Sequence, residues 1–401
     1  VRAILFAALA KGESILTNVL PSSDMHKLCQ IICYMGASYQ LDKQTLIIQG
    51  CSGKPVVKHP YWNLGNSGIG LRFCTAIASI QPQPLILSGD LSLRQRPMHD
   101  LLQGLSALGL EYRYLHRHNL APILLKPQHS KQHDPCTIKL LGQDSQPVSA
   151  CLIAAAIAKR NLNIQVQNPG EKPWVQMTLD CLQARGIHFE HDGQYQHFSF
   201  KPQTVWPGFT TQIPGDISTL AFPLATALLT HSDLKITGIK NPEQQGDWKF
   251  ISLLQQMGAK LSYNATEGSL FCHKQQSLHG IHCNIEDCID TLPILAVLAC
   301  FAQGESQISG AAMAREKECD RLHIMCRELT KMGAKITEYD HGLHIHGSPS
   351  LKGANFKHEN DHRVAMALYA AASAAQSPST FLDVNCCHKT FPKFEETMLS
   401  L

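Results

Sequence analysis

One phrase, repeated at nearly constant spacing, constrains this chain more than any other feature. An apolar, helix-like run ends on a glycine at Met35-Gly36-Ala37, Leu108-Gly109-Leu110, Arg185-Gly186-Ile187, Met257-Gly258-Ala259 and Met332-Gly333-Ala334, and the glycines lie 73, 77, 72 and 75 residues apart. A period of this kind means one supersecondary unit used again and again. A glycine just past a helix takes left-handed dihedrals at no steric cost, so each phrase predicts a helix end and a reversal of the chain. An alternating stretch follows, as in Ala334-Lys335-Ile336-Thr337-Glu338-Tyr339, then a turn at Asp340-His341-Gly342 and Leu343-His344-Ile345-His346, which predicts a hairpin.

Upstream of the glycine phrases stand six alanine-rich helical runs, at Ala7-Ala8-Leu9-Ala10, Ala76-Ile77-Ala78, Ala154-Ala155-Ala156, Ala225-Thr226-Ala227-Leu228, Ala296-Val297-Leu298-Ala299 and Ala370-Ala371-Ala372. Small side chains let helices pack closely on one another or on a sheet. Six helices against five glycine phrases leave one hairpin unaccounted for. The stretch Phe394-Glu395-Glu396-Thr397-Met398-Leu399 does not supply it, so the missing strands are expected before Val1, a shortened variant being the alternative. Six units of helix, strand, helix and hairpin are too many for one core. They divide into two domains of three, residues 1–213 and 214–401, with the break at Pro214-Gly215-Asp216.

Charge and composition exclude several classes. Only 17% of the 401 residues are charged, 44% are hydrophobic, and Lys plus Arg exceed Asp plus Glu by three with no long basic run, so neither a nucleic-acid nor a membrane surface is indicated. The longest apolar stretches, Val148 to Ala158 and Leu292 to Ala302, fall well short of the roughly 20 residues that cross a bilayer. The opening Val1 to Ala10 imitates a signal peptide, but its pattern is that of the other alanine-rich helices. Fifteen cysteines, an odd number without C-x-x-C spacing, read as reduced thiols of a cytoplasmic protein. His344-Ile345-His346 and Cys386-Cys387-His388 are the only hints of a metal site, and neither has a second pair at ligand spacing; no metal is assigned.

A succession of short motifs then runs through the chain: Gly65-Asn66-Ser67-Gly68 with Arg72, Arg94-Gln95-Arg96-Pro97-Met98, Ser145-Gln146, Gly215-Asp216-Ile217-Ser218, Asp290 before Pro293, Arg315 to Arg321, Asn360-Asp361-His362-Arg363 and Lys389-Thr390-Phe391-Pro392. In this order they resemble the 5-enolpyruvylshikimate-3-phosphate synthase family. The resemblance implies a mixed α/β (α+β) fold, a two-domain inside-out α/β barrel of six repeated units, three per domain. It also implies transfer of the enolpyruvyl group of phosphoenolpyruvate to the 5-hydroxyl of shikimate 3-phosphate with release of phosphate. It implies no cofactor, a monomer with small-molecule substrates, and no nucleic-acid or membrane partner.

Carried over residue by residue, the resemblance implies that Gly68, Arg96, Gln146, Arg321, Arg363 and Lys389 hold phosphoenolpyruvate. It implies likewise that Arg2, Ser145, Gln146, Asp290 and Lys317 meet shikimate 3-phosphate. Asp290 is the implied base and Glu318 the implied proton donor, with the acceptor on the first domain and the donor, with Asp290, on the second. The residue types suit the chemistry. A phosphate and a carboxylate on one small molecule call for several guanidinium and ammonium groups, and two carboxylates among cations can be held at different pKa values. Without the resemblance, Arg315 to Arg321 reads first as a solvated helix start, Asp361 and Asp216 as helix caps, and Arg72 as a structural ion-pair partner.

The match also has departures. The Lys-Ser pair that precedes the arginine matched by Arg2 is absent. Asp144 and Glu171 stand where serines are usual, Trp174 where a tyrosine is usual, and Met313 and Ile69 where asparagine and threonine are common. Carboxylates facing a phosphate repel it, which raises an acceptor other than the phosphorylated one. Two rivals are weighed. A UDP-N-acetylglucosamine enolpyruvyl transferase would carry a cysteine in the stretch Leu87 to Pro97, which has none. A non-catalytic member of the fold would not need Asp290, Glu318, Arg321, Arg363 and Lys389 together.

Overall fold

The computed structural model describes residues 1–128, 135–274, 277–348 and 350–400. The chain divides into two compact units, Val1–Ile213 and Pro214–Leu401, each with its own hydrophobic core. The six alanine-rich runs are the helices Arg2–Leu9, Gly68–Ser79, Ser145–Ile157, Ile217–Leu229, Leu292–Phe301 and His362–Ser373. They are buried almost from end to end; in Leu292–Phe301 every residue through Cys300 is buried. A helix apolar on all sides belongs in the middle of a layered core rather than on its surface.

The five glycine phrases behave as the repeat requires. Gly36, Gly109, Gly186, Gly258 and Gly333 all have positive φ, between 68° and 98°. Each is followed by an antiparallel hairpin: Ser38–Asp42 with Thr45–Gln49, Leu110–Tyr114 with Ile123–Pro127, Phe189–His191 with His197–Phe200, Leu261–Asn264 with Ser269–Cys272, and Lys335–Tyr339 with Gly342–His346. In the last, the second strand begins at Gly342, because a side chain there would run into the carbonyl of Ile308 on the neighbouring strand.

The strand order within a sheet repeats too. Tyr61–Asn63, Leu85–Ser88, Ile123–Pro127 and Leu110–Tyr114 lie side by side in that order, the first pair parallel and the others antiparallel. Cys136–Leu140, Leu162–Val166, His197–Phe200 and Phe189–His191 repeat it, as do His282–Asn284, Glu305–Ser309, Gly342–His346 and Lys335–Tyr339 in the second unit. The parallel pair in each case is joined through one buried helix, the crossover that parallel pairing needs.

The first sheet differs. Its parallel edge strand is Thr210–Gln212, which returns from the end of the unit to pair with Glu13–Thr17. That sheet is therefore completed by a strand from the far end of the same unit. In the second unit, Leu234–Thr237, Ser269–Cys272 and Leu261–Asn264 form a three-stranded sheet. Asn355–Phe356 and Thr380–Phe381 form a two-stranded parallel one, and the described chain after it runs into the helix Phe394–Leu399 without a hairpin.

In the second unit the helices Ile217–Leu229, Leu292–Phe301 and His362–Ser373 pack on one another. Their starts carry Asp216 and Asp361 as side-chain caps, and Asp290 in the short helix Glu286–Thr291 immediately before Leu292. In the first unit Gly68–Ser79 packs on Ser145–Ile157, with Ser67 and Asp144 as caps. The repeat thus delivers several helix N-termini, each with partly unsatisfied N–H groups and a positive dipole end, to one end of each core.

Candidate active site

In the second unit a single guanidinium organises the charged residues. Arg321, the first residue of the helix Arg321–Lys331, is only 1% exposed, and its three nitrogens meet three carboxylates. Nε donates to Asp361 Oδ2 at 2.7 Å, Nη1 to Asp290 Oδ1 at 2.8 Å and Nη2 to Glu318 Oε2 at 2.8 Å. Arg363 Nη2 reaches the other oxygen of Asp290 at 3.0 Å, and Lys389 Nζ donates to Glu318 Oε1 at 2.7 Å. Lys317 adds its positive charge near Asp290. Asp290, Lys317, Glu318, Arg321, Arg363 and Lys389 thus form one cluster, drawn from the short helices Glu286–Thr291 and Asn385–Lys389, the loop before Arg321, and the starts of the helices Arg321–Lys331 and His362–Ser373.

The electrostatics follow from that crowding. Burial alone would raise the pKa of Asp290; Arg363, then Arg321 and Lys317, overcome it and hold the carboxyl well below the ordinary range. His362, buried, with Nδ1 3.8 Å from Glu318 Oε1, is pushed well below its usual value by burial and then by Lys389, so it is neutral. Asp247, in the turn Gly246–Trp248, is the opposite of Asp290. It is buried, neither carboxylate oxygen has a hydrogen-bond partner, and burial followed by the nearby charge of Asp290 raises its pKa well above the usual range. A carboxyl in that setting keeps its proton.

Asp361 does more than the cap assigned from the sequence. Its Oδ1 accepts from the backbone N–H groups of Arg363 at 2.8 Å and Val364 at 3.2 Å, while the same fully buried carboxylate binds Arg321. Asp216 is a cap, accepting from the N–H of Ser218 at 3.1 Å. The stretch Arg315 to Arg321 splits. Arg315 pairs with Asp320 and Glu338 as a structural bridge, whereas Glu318 and Arg321 face inward.

In the first unit, Gly68, Arg72, Arg96 and Gln146 come together. A Cβ on Gly68 would stand 2.5 Å from Arg96 Nη1 and 3.2 Å from Arg72 Nη1, so two guanidinium groups can approach this helix start only because it lacks a side chain. Arg96 donates to Asn66 Oδ1 at 2.9 Å. Arg72, set aside from the sequence, donates to Gln146 Oε1 at 3.1 Å and lies 3.4 Å from Asp144.

The remaining acceptor-side residues are engaged by the protein itself. Glu171, buried and in the left-handed region at φ 45°, takes both donors of Ser145: the hydroxyl at 2.7 Å and the backbone N–H at 3.2 Å. Ser145, assigned to the acceptor from the sequence, is thus already satisfied by a carboxylate that the sequence marked only as a departure. Arg2 donates to Thr178 Oγ1 and to the Trp174 carbonyl, both at 2.7 Å, and sits over the Phe73 ring.

His344 and His346 share a strand face, and Glu305 on the adjacent strand reaches both, at 3.4 and 3.1 Å. Cys386 meets not its neighbour His388, which is exposed, but His358 from a different segment.

With this geometry in view, the comparisons with known proteins are direct. The family model described as EPSP synthase (3-phosphoshikimate 1-carboxyvinyltransferase) matches residues 1–398. The chain belongs to the EPSP synthase family. It is 36% identical to the 3-phosphoshikimate 1-carboxyvinyltransferase of Chlamydia muridarum over 98% of this chain and 88% of that relative. The EPSP synthase of Acinetobacter baumannii superposes with a TM-score of 0.81 at 26% identity, covering all of this chain and 92% of the other. The enolpyruvyl transferase NikO of Streptomyces tendae shares the fold, with a TM-score of 0.78 at 17% identity over all of this chain and 91% of its own. The mixed α/β architecture is that of the EPSP synthase family, and among the described residues no helix is long and apolar enough to cross a membrane.

Proposed function

We propose that the chain transfers the enolpyruvyl group of phosphoenolpyruvate to the 5-hydroxyl of shikimate 3-phosphate, the reaction for which its family is named, with Asp290 as base and Glu318 as acid. One observation carries this division of labour: Asp290 sits between Arg321 and Arg363, and Glu318 between Arg321 and Lys389. Paired to two guanidinium groups, Asp290 is a weak base. A donor with its own phosphate and carboxylate competes for the same cations. As Arg321 and Arg363 turn to it, Asp290 loses the charges that depress its pKa and becomes able to accept a proton.

The hydroxyl oxygen then bonds to the central carbon of the donor, its proton passes to Asp290, and Glu318, which takes up a proton from solvent once Arg321 and Lys389 have turned to the donor, delivers it to the methylene carbon. In the second half, the bond from that carbon to the phosphate oxygen breaks, phosphate leaves, and a methyl proton returns to Glu318. Lys389, Arg321 and Arg363, with Gly68, Arg96 and Gln146, are assigned to the donor; Arg2, Ser145, Gln146, Asp290 and Lys317 to the acceptor. We assign the chain to the cytoplasm as a monomer, supported by its fifteen free cysteines and by the presence of every assigned residue in one chain.

Phosphate release from phosphoenolpyruvate with shikimate 3-phosphate tests the reaction, and Asp290→Asn tests the base. Turnover should fall by about a hundred- to ten-thousandfold. Donor affinity, read by calorimetry, should hold or tighten, because the arginines lose a competitor; an active Asn variant removes Asp290 from the role. A second reading, an acceptor without the phosphate, is favoured by the hold of Glu171 on both donors of Ser145. Faster turnover of shikimate than of its 3-phosphate would select it.

A further inference from the structure

The described residues contain one nucleophile with a base and an orienting group that the proposed reaction leaves unused. Cys386, half-buried in the short helix Asn385–Lys389, has its Sγ 3.6 Å from Nδ1 of His358. The other ring nitrogen, Nε2, lies 2.8 Å from the backbone carbonyl of Asp383. A carbonyl oxygen only accepts, so Nε2 carries a proton and Nδ1 faces the sulfur. Either the thiol donates to a bare Nδ1, or the proton has crossed to give a thiolate beside an imidazolium. Nucleophile, base and orienter in line are the arrangement that activates a sulfur.

The surroundings favour the charged pair. The neighbouring Cys387 is the largest influence lowering the pKa of Cys386, with His358 next against the cost of burial; the charge of Asp361 opposes it, and the Cys387 thiol itself lies 3.8 Å from the His362 carbonyl. His358 is raised in turn, first by its bond to Cys386, and by the Asp383 carbonyl and carboxylate. Cys319 provides an internal contrast. It also borders the charged cluster, 3.6 Å from Asp361 Oδ2, but has no imidazole, and burial and Asp361 push its thiol up.

We propose that Cys386 and His358 form a modification site for small disulfides, and that modification there switches off the enzyme. The Cys386 thiolate attacks one sulfur of the disulfide, a new sulfur–sulfur bond forms as the old one breaks, and the departing thiolate takes the proton held by His358. The thiol is oxidised and one half of the disulfide is reduced, so no other reactant is needed. Cys386 lies three residues before Lys389 on the same short helix, so an adduct displaces the ammonium that grips Glu318.

The test incubates the full chain with glutathione disulfide and follows each cysteine peptide by mass spectrometry. Cys386 should form the mixed disulfide first, at a rate nearly flat over about pH 7 to 9, whereas an ordinary thiol with a pKa of about 8.5 gains about 25-fold across that range. His358→Gln keeps a donor for the Asp383 carbonyl but removes the base, and should slow the adduct by about tenfold at neutral pH. Phosphate release should fall in step with adduct formation and recover with reduced thiol, and Cys386→Ala should retain activity and resist loss. Equal labelling of Cys319, an ordinary pH dependence, an unaffected His358→Gln, or full activity in the adduct would each overturn the proposal. The activity readout rests on the proposed function; the labelling does not, so an inactive chain that still labels selectively separates the two failures.

Discussion

At the scale of single residues, two carboxyls a short way apart in the second unit are driven in opposite directions. Asp290 is exposed by about a quarter of its side chain and gripped by cations, while Asp247 is sealed without partners. The consequence for Asp247 has a definite sign. Its folded pKa lies above the unfolded value of about 4, so as pH rises the unfolded chain releases this proton while the folded chain keeps it. Stability contributed below about pH 4 is therefore lost progressively, at up to about 1.4 kcal/mol per pH unit, until the pH passes the folded pKa. Asp247→Asn should flatten that decline, read as urea unfolding at a series of pH values; an identical slope would show that Asp247 is ionised in the folded state. In the first unit, Glu171→Ser should free both donors of Ser145 and tighten binding of shikimate 3-phosphate by about tenfold. Isothermal titration with the wild type beside it checks this, and weaker binding would favour the unphosphorylated acceptor.

At the scale of elements, the helix His362–Ser373 begins on a carboxylate that serves both the backbone and Arg321. Asp361→Ala removes a cap and leaves a buried guanidinium short of one partner, and should cost about 3 to 5 kcal/mol in chemical denaturation. Asp361→Asn keeps the side-chain oxygen for the N–H groups of Arg363 and Val364, so it should recover about 1 kcal/mol of that loss. If the two variants are equally unstable, the cap contributes nothing and the ion pair everything. The same element shows what local patterning conveys. Asp361 two residues before Arg363 reads as a cap because capping is a contact between near neighbours in sequence. Its bond to Arg321, forty residues away, depends on how two helices cross, which no local pattern encodes.

At the scale of the whole molecule, the two units carry separate cores, and three of the four tryptophans, Trp62, Trp174 and Trp206, lie in the first. Tryptophan fluorescence therefore reports chiefly on Val1–Ile213, whereas far-ultraviolet circular dichroism reports on both units. In urea the two signals should give different midpoints; coincident curves would mean that the chain unfolds as a single cooperative body.

What the amino-acid sequence determined by itself was everything set by neighbours along the chain. Five glycines past helix ends mark the reversals, alternation marks the hairpins, and alanine-rich runs mark the helices that are buried. Residue types in motif order point to the family and to a set of cations with two carboxylates. Only the tertiary structure decided the rest. Thr210–Gln212 closes the first sheet from nearly two hundred residues away, Arg321 is shared by three carboxylates from three segments, Glu171 takes the donors of Ser145, and His358 rather than His388 meets Cys386. Apart from Arg321 with Glu318, three residues apart, each is a contact between groups distant in sequence. Its existence depends on which packing buries the most apolar surface while leaving no charge unpaired, and that balance is struck over a whole core at once.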